Sequence, residues 1–171
     1  GASSCTDCET GKYLSDFGEN REAHDNVNDC LSCPPGQFSV SGSGMCLNCE
    51  PGKYQASSGQ GSCSVCSSGK WSAVGSVSCT NCPSGTFLAD PASAAVHHNS
   101  VSDCIICGSG KYSGASASSC SSCPAGTFIG DLGEQISRHD SLSDCSVCSQ
   151  GKYSSSGSSV CINCPKGTFI S

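Results

Sequence analysis

No apolar stretch in this 171-residue sequence reaches the ~18 residues that a membrane-spanning helix needs. Basic residues are scarce: 8 Lys and Arg stand against 14 Asp and Glu, for a formal net charge of −6. With no basic run, the sequence gives nucleic acid and anionic membrane nothing to hold. Leu, Ile, Val and Phe number 26, about 15% of the chain. That is below the roughly 20% under which a chain cannot bury enough apolar surface to fold on a core alone. The shortage argues against a globular enzyme, a coiled coil and a membrane protein. Methionine occurs once, at Met45, and the sequence opens on Gly1 with no signal-like apolar segment. The expectation is a processed product or a window of something longer. There is no Asn-x-Ser/Thr sequon, only the rarer Asn-x-Cys form at Asn28-Asp29-Cys30, while the serine-rich stretches offer sites for O-linked sugar.

What the sequence has instead is 38 Ser, 21 Gly and 18 Cys. Every cysteine belongs to a C-x-x-C pair, and the nine pairs start at Cys5, Cys30, Cys46, Cys63, Cys79, Cys104, Cys120, Cys145 and Cys161. Their spacings are 25, 16, 17, 16, 25, 16, 25 and 16 residues, so short and long units alternate irregularly. Fixed spacing of this kind is the signature of a repeat array. Residues 5–45, 79–119 and 120–160 are long-plus-short pairs, residues 46–78 are two short units, and 161–171 begin a further one.

A second pattern lies on the first. Three residues after each pair comes a glycine, and two later an aromatic: Tyr13, Phe38, Tyr54, Trp71, Phe87, Tyr112, Phe128, Tyr153 and Phe169. Only Phe17 falls outside this slot. Glycine permits a turn where a β-carbon would clash, and the ring is expected to lie over a neighbouring disulfide. The recurring Lys of the Gly-Lys-aromatic phrase is expected to be solvated. Four of the five short units carry glycine four residues before the next cysteine, at Gly42, Gly59, Gly75 and Gly157, and Ser116 stands there in the fifth. The long units end in a common phrase, His24 to Cys30, His98 to Cys104 and His139 to Cys145, and hold 13 of the 14 acidic residues. No segment has sustained helical periodicity. The Gly-x-aromatic strips read as short strands or hairpin arms, with a helical turn expected around Pro91–Val96.

Three chemistries use C-x-x-C. A redox dithiol needs one reactive pair at a helix N-terminus, which nine pairs without helices do not offer. Zinc takes two pairs per site, and nine is odd. A disulfide ladder suits a chain that folds without a core. The sequence leaves the wiring open. Joining the second Cys of each pair to the first of the next closes each hairpin on itself: Cys8–Cys30, Cys33–Cys46, Cys49–Cys63, Cys66–Cys79, Cys82–Cys104, Cys107–Cys120, Cys123–Cys145 and Cys148–Cys161. Cys5 and Cys164 would then take external partners. An interlaced scheme, first to first and second to second, leaves a whole pair over.

The phrases Cys123-Pro-Ala-Gly-Thr-Phe128, Cys82-Pro-Ser-Gly-Thr-Phe87, Cys33-Pro-Pro-Gly-Gln-Phe38 and Cys107-Gly-Ser-Gly-Lys-Tyr112 resemble the ephrin-receptor-like cysteine-rich repeat, similar in style to tumour-necrosis-factor-receptor modules. The resemblance covers the whole chain. It implies extracellular modules stacked end to end, the one-disulfide submodule wiring above, and no catalytic residues. It also implies kinship with tandem copies in very large surface proteins of protists and algae. Glu9, Glu50, Ser67, Gly108 and Ser149 depart from it where proline is usual after the second cysteine.

The expected fold is small, disulfide-rich and mostly irregular with short β-hairpins: an elongated, solenoid-like rod without a common hydrophobic core, each module touching only its neighbours. The expected function is a structural extracellular segment of a stalk, cell-surface fibre or flagellar hair. The alternative is the stalk or ligand-binding region of a receptor or adhesin, with specificity in the loops 16–23, 90–97 and 131–138. Partners would be neighbouring copies or flanking modules, and no cofactor is expected. Two phrases offer candidate cation ligands, His24, Asp25 and Asp29, and His139, Asp140 and Asp144. The competing reading is a turn in which Asp, Asn and Ser bond their own backbone. Serine is too common for any Ser/His/Asp arrangement to stand out.

Overall fold

A computed structural model describes residues 4–16, 18, 22 and 24–169. Phe17 and most of the loop 16–23 lie outside the described residues. The fold is disulfide-rich, and among the described residues every sheet has only two strands. The helical segments are single 3₁₀ turns of three residues. The chain divides into two compact units, Gly1–Cys66 with Trp71–Thr80 and Ala92–Ser100, and Ser67–Lys70 with Asn81–Pro91 and Val101–Ser171. Unit boundaries therefore cut across the repeat pairs of the sequence.

The first unit contains antiparallel hairpins Lys12–Tyr13 with Leu31–Ser32, Gln37–Phe38 with Leu47–Asn48, and Lys53–Tyr54 with Ser64–Val65. In the second, Thr86–Phe87 pairs with Ile105–Ile106 and Lys111–Tyr112 with Ser121–Ser122. Thr127–Phe128 pairs there with Ser146–Val147, and Lys152–Tyr153 with Ile162–Asn163. The two arms have one rule. The first is the Gly-x-aromatic strip, and the second is the pair of residues inside the next C-x-x-C. That explains the spacing of each pair: its first cysteine closes the hairpin just finished, and its second opens the next. Eight disulfides follow this order, from Cys8–Cys30 to Cys148–Cys161, with Cα atoms 5.7–5.9 Å apart, an unstrained span for a disulfide. The loops closed have sequence separations of 13 or 14 residues in short modules and 22 in long ones. In the chain-entropy view, each closure of this length contributes about 3 kcal/mol.

A type II turn precedes each first arm. The amide of Gln37 donates to Pro34 O (3.2 Å) and that of Lys53 to Glu50 O (3.0 Å). Glycine fills the third position, with φ near +80°, as the turn requires. The first position supplies only its carbonyl. Glu, Ser or Gly therefore replaces Pro there without changing the turn, and Glu9 and Glu50 put a carboxylate near the lysine three residues on (3.8 and 3.0 Å).

The core is mostly sulfur. The second cysteines from Cys8 to Cys123 are buried, and Leu88 and Ile129 are the only buried aliphatic side chains among the described residues. Modules do more than touch their neighbours. A β-carbon on Gly52 (φ +85°) would overlap the carbonyl of Ala95, and one on Gly85 (φ +83°) that of Ile136. Each contact joins modules two apart, which corrects the nearest-neighbour expectation. A bare backbone at the turn lets a later loop reach in that far. The helical turn expected at Pro91–Val96 is a 3₁₀ turn at Ala95–His97.

Candidate functional site

The repeating constellation is the joint between consecutive modules, and the backbone supplies most of it. The turn glycine donates to the residue after the next aromatic, as in Gly36 N to Gln55 O (2.7 Å) and Gly110 N to Ile129 O (2.9 Å). The residue after the aromatic donates onward to the next loop, as in Gln55 N to Ser76 O (3.1 Å) and Ser113 N to His139 O (2.8 Å). The loop donates back, as in Gly59 N to Cys33 O (2.8 Å). One acceptor remains, the carbonyl between glycine and aromatic. Four buried serines satisfy it: Ser39 Oγ donates to Lys12 O (2.9 Å), Ser72 to Lys53 O (3.0 Å), Ser113 to Thr86 O (2.8 Å) and Ser154 to Thr127 O (2.8 Å). A buried carbonyl left bare costs free energy, so each joint needs a donor at this point.

The long modules lack that serine. Leu14, Leu88 and Ile129 stand in its place, and in the short module closed by Cys49–Cys63 Gln55 does, its side-chain amide turned to Ser62 O. In the module closed by Cys123–Cys145, a histidine takes over. His139 is fully buried, its Nδ1 lies 2.7 Å from Lys111 O, and its Nε2 lies 2.9 Å from Asp131 Oδ1. The same carboxylate oxygen accepts from the amides of Gly133 and Glu134, both at 2.9 Å. The bond from His139 is the main reason that the Asp131 carboxyl falls from 3.8 to about 2, with the backbone amides adding to it against a smaller effect of burial. Tyr112, from the preceding hairpin, packs on the cluster of Cys123, Ile129 and Cys145.

The sequence-predicted residues separate accordingly. His24 and His139 bond Asp16 (3.0 Å) and Asp131, each eight residues earlier, rather than their neighbours Asp25 and Asp140. Asp29 and Asp144 close turns: their Oδ2 atoms accept from Asn26 N and Ser141 N, both at 3.0 Å, in capping boxes. The cation-ligand sets are thus not assembled, and among the described residues no group of three or more His, Cys, Asp or Glu is placed to hold a metal. Sequence reasoning missed the Asp partners, although Asp16/His24, Asp90/His98 and Asp131/His139 share one spacing. Of the aromatics, Tyr13, Phe38, Tyr54, Trp71, Phe87, Tyr112 and Phe128 are half-buried. Tyr153 and Phe169, expected to pack, are exposed at 44% and 87%. No described residue lies against the β-position of Gly151 or Gly167 beside them. Cys5 is exposed and Cys164 half-buried, both without a disulfide.

Hairpin, turn and pairing recur throughout, and one stretch of them matches a known family. Residues 36–72, from the glycine of one turn to the serine after Trp71, match the family described as tyrosine-protein kinase ephrin type A/B receptor-like. Residues 36–72 are ephrin-receptor-like. The match falls on a run of short modules, and the ephrin-receptor-like turn, hairpin and disulfide recur on both sides of it. Modules of this kind are typical of extracellular domains. No curated protein matches the chain. Among the described residues no helix is long and apolar enough to cross a membrane.

Proposed function

We propose that this chain is a structural extracellular segment, a rod-type building block of a stalk, cell-surface fibre or flagellar hair. The observation that carries this reading is the repetition of the joint. The same backbone bonds recur from module to module, four joints share a buried serine donor, a disulfide closes each loop, and such a ladder resists extension without a shared core. The chain works without catalysis and without a cofactor, at the cell surface or outside it. Its partners are neighbouring copies or flanking modules, joined at Cys5 and Cys164, and its serines carry glycans.

Electron microscopy of the protein as isolated, beside a non-reducing gel, tests this. Fibres or disulfide-linked multimers that vanish in a Cys5→Ser/Cys164→Ser variant are expected. Monodisperse particles indifferent to that change would overturn it.

A receptor or adhesin contact is the second reading. It is favoured by the ephrin-receptor-like match and by an open groove on the loop 131–138, lined by Phe128, Leu132, Glu134 and Arg138. Loss of binding to a soluble ligand on deletion of 131–138 would favour it.

A further inference from the structure

The four serine joints and the histidine joint meet the same need with different chemistry. A serine hydroxyl donates one hydrogen bond at any ordinary pH. His139 faces two groups that can only accept, the Lys111 carbonyl at 2.7 Å and the Asp131 carboxylate at 2.9 Å. A neutral imidazole has one N–H and one lone pair. It can satisfy one of the two acceptors, and its lone pair must then face the other. Both contacts are satisfied together only when both ring nitrogens carry protons.

The side chain is fully buried, so water cannot supply the missing donor. The Asp131 oxygen also accepts from the amides of Gly133 and Glu134, so it meets the ring as an acceptor.

We propose that the His139–Asp131 pair is a pH-sensitive clasp that holds its long module to the preceding hairpin as an imidazolium and loosens when the ring loses its second proton. Asp131 faces the ring directly, and Glu134, Asp140 and Asp144 follow on its own loop and turn. Arg138 is turned to Gln135, with Nε donating to Oε1 at 2.9 Å. From the preceding hairpin come Tyr112, packed beside Ile129, and Lys111, which offers its carbonyl while its side chain is exposed. Asp131 is thus the charged group in direct contact with the ring, at 2.9 Å. His98 is also fully buried, and its backbone carbonyl accepts from Ser72 N at 2.9 Å.

Nuclear magnetic resonance on the intact, oxidised chain tests this. At pH 6, both ring N–H protons of His139 should be visible and slow to exchange. As pH rises until the second proton is lost, protection of the Ser113 amide should fall at least tenfold relative to the Ser39 amide, which bonds Gln60 O in a short-module joint. His139→Asn keeps a donor for Lys111 O and removes the titration, so its Ser113 profile should be flat. A single ring N–H at pH 6, or a wild-type Ser113 profile that stays parallel to that of Ser39, would overturn the clasp, and either can be read without the variant.

Discussion

The short module closed by Cys49–Cys63 and the long one closed by Cys123–Cys145 share the turn, the two-residue arms and the disulfide geometry. They differ by a loop. The short loop returns through Gly59, in a left-handed conformation (φ +68°), to Cys33 O. The long loop makes two 3₁₀ turns, Ile136–Arg138 and Leu142–Asp144, anchored by Asp131 and capped by Ser141. Both loops still deliver one carbonyl to the amide after the previous aromatic, Gln60 O to Ser39 in the short-to-short joint and His139 O to Ser113 in the short-to-long joint. The joint is thus fixed and the loop is free to vary, provided that the loop brings its own donor. The pairing of Ile129 with His139, where four other joints use a serine, follows from that requirement.

The turn glycine is common to both classes, so its loss should harm both most. In Gly52→Ala (short) and Gly85→Ala (long), a β-carbon meets a carbonyl at a positive φ. The combined cost of a left-handed non-glycine and overpacking is roughly 3–5 kcal/mol. Gly151→Ala meets no described atom and should lose only about 1 kcal/mol. Exchange of the Cys66 and Cys164 amides, bonded to Gly52 O and Gly151 O, reads the contrast. Equal losses at Gly52 and Gly151 would show that the contact two modules on carries no weight.

The disulfides should come next. Replacing Cys49 and Cys63, or Cys123 and Cys145, by serine should cost about 3 kcal/mol. Separations of 14 and 22 residues differ by only about 0.4 kcal/mol in closure entropy. Denaturant midpoints of the two variants should therefore nearly coincide. A much larger loss for the long module would mean that its loop is held by the bridge rather than by Asp131 and the caps.

Periodic features were legible from sequence because each repeats: the hairpin arms, the turn glycine, the class of fold. The phrase before Cys30 and Cys145 was legible as a turn because Asn26, Ser141 and the acids three residues on bond within four residues of themselves. The His–Asp pair was not. Its members lie eight residues apart on an irregular loop, where no helical or strand period brings them to one face, and the ring's second partner, Lys111 O, is a backbone atom of another module that no residue type announces. The reach of Gly52 to Ala95 was hidden for the same reason: a carbonyl has no letter in the sequence.

Ser116 offers a smaller test, within the short class. It sits at the slot that Gly59 fills in the matching module, at φ +61°, and among the described residues its buried hydroxyl has no partner. Ser116→Gly removes both faults and should stabilise the joint by about 1 kcal/mol. The amide of Leu88, which bonds Ala117 O at 3.0 Å, should then exchange more slowly. Unchanged or faster exchange would mean that the serine is at ease there and that glycine's extra freedom in the unfolded chain decides the sign.

Acid should separate the classes last and least. The Asp131 carboxyl titrates lower in the folded chain, about 2, than its usual 3.8. Its bonds therefore stabilise fully above the usual value and are lost as pH falls toward and through about 2. The short-module joint that Ser39 N makes with Gln60 O is backbone to backbone and has no carboxylate in its bonds. Between pH 5 and 2, protection of the Ser113 amide should decline while that of the Ser39 amide, corrected for intrinsic exchange, holds. Asp131→Asn should show no such decline, since its amide has no proton to gain in this range. A carboxyl carbon of Asp131 that titrates near 4 in a carbon-13 titration would mean that the ring and the loop amides do not hold the ionised form. The long loop would then owe its position to the Cys123–Cys145 bridge and the Ser141 cap, and the two module classes would differ in length alone.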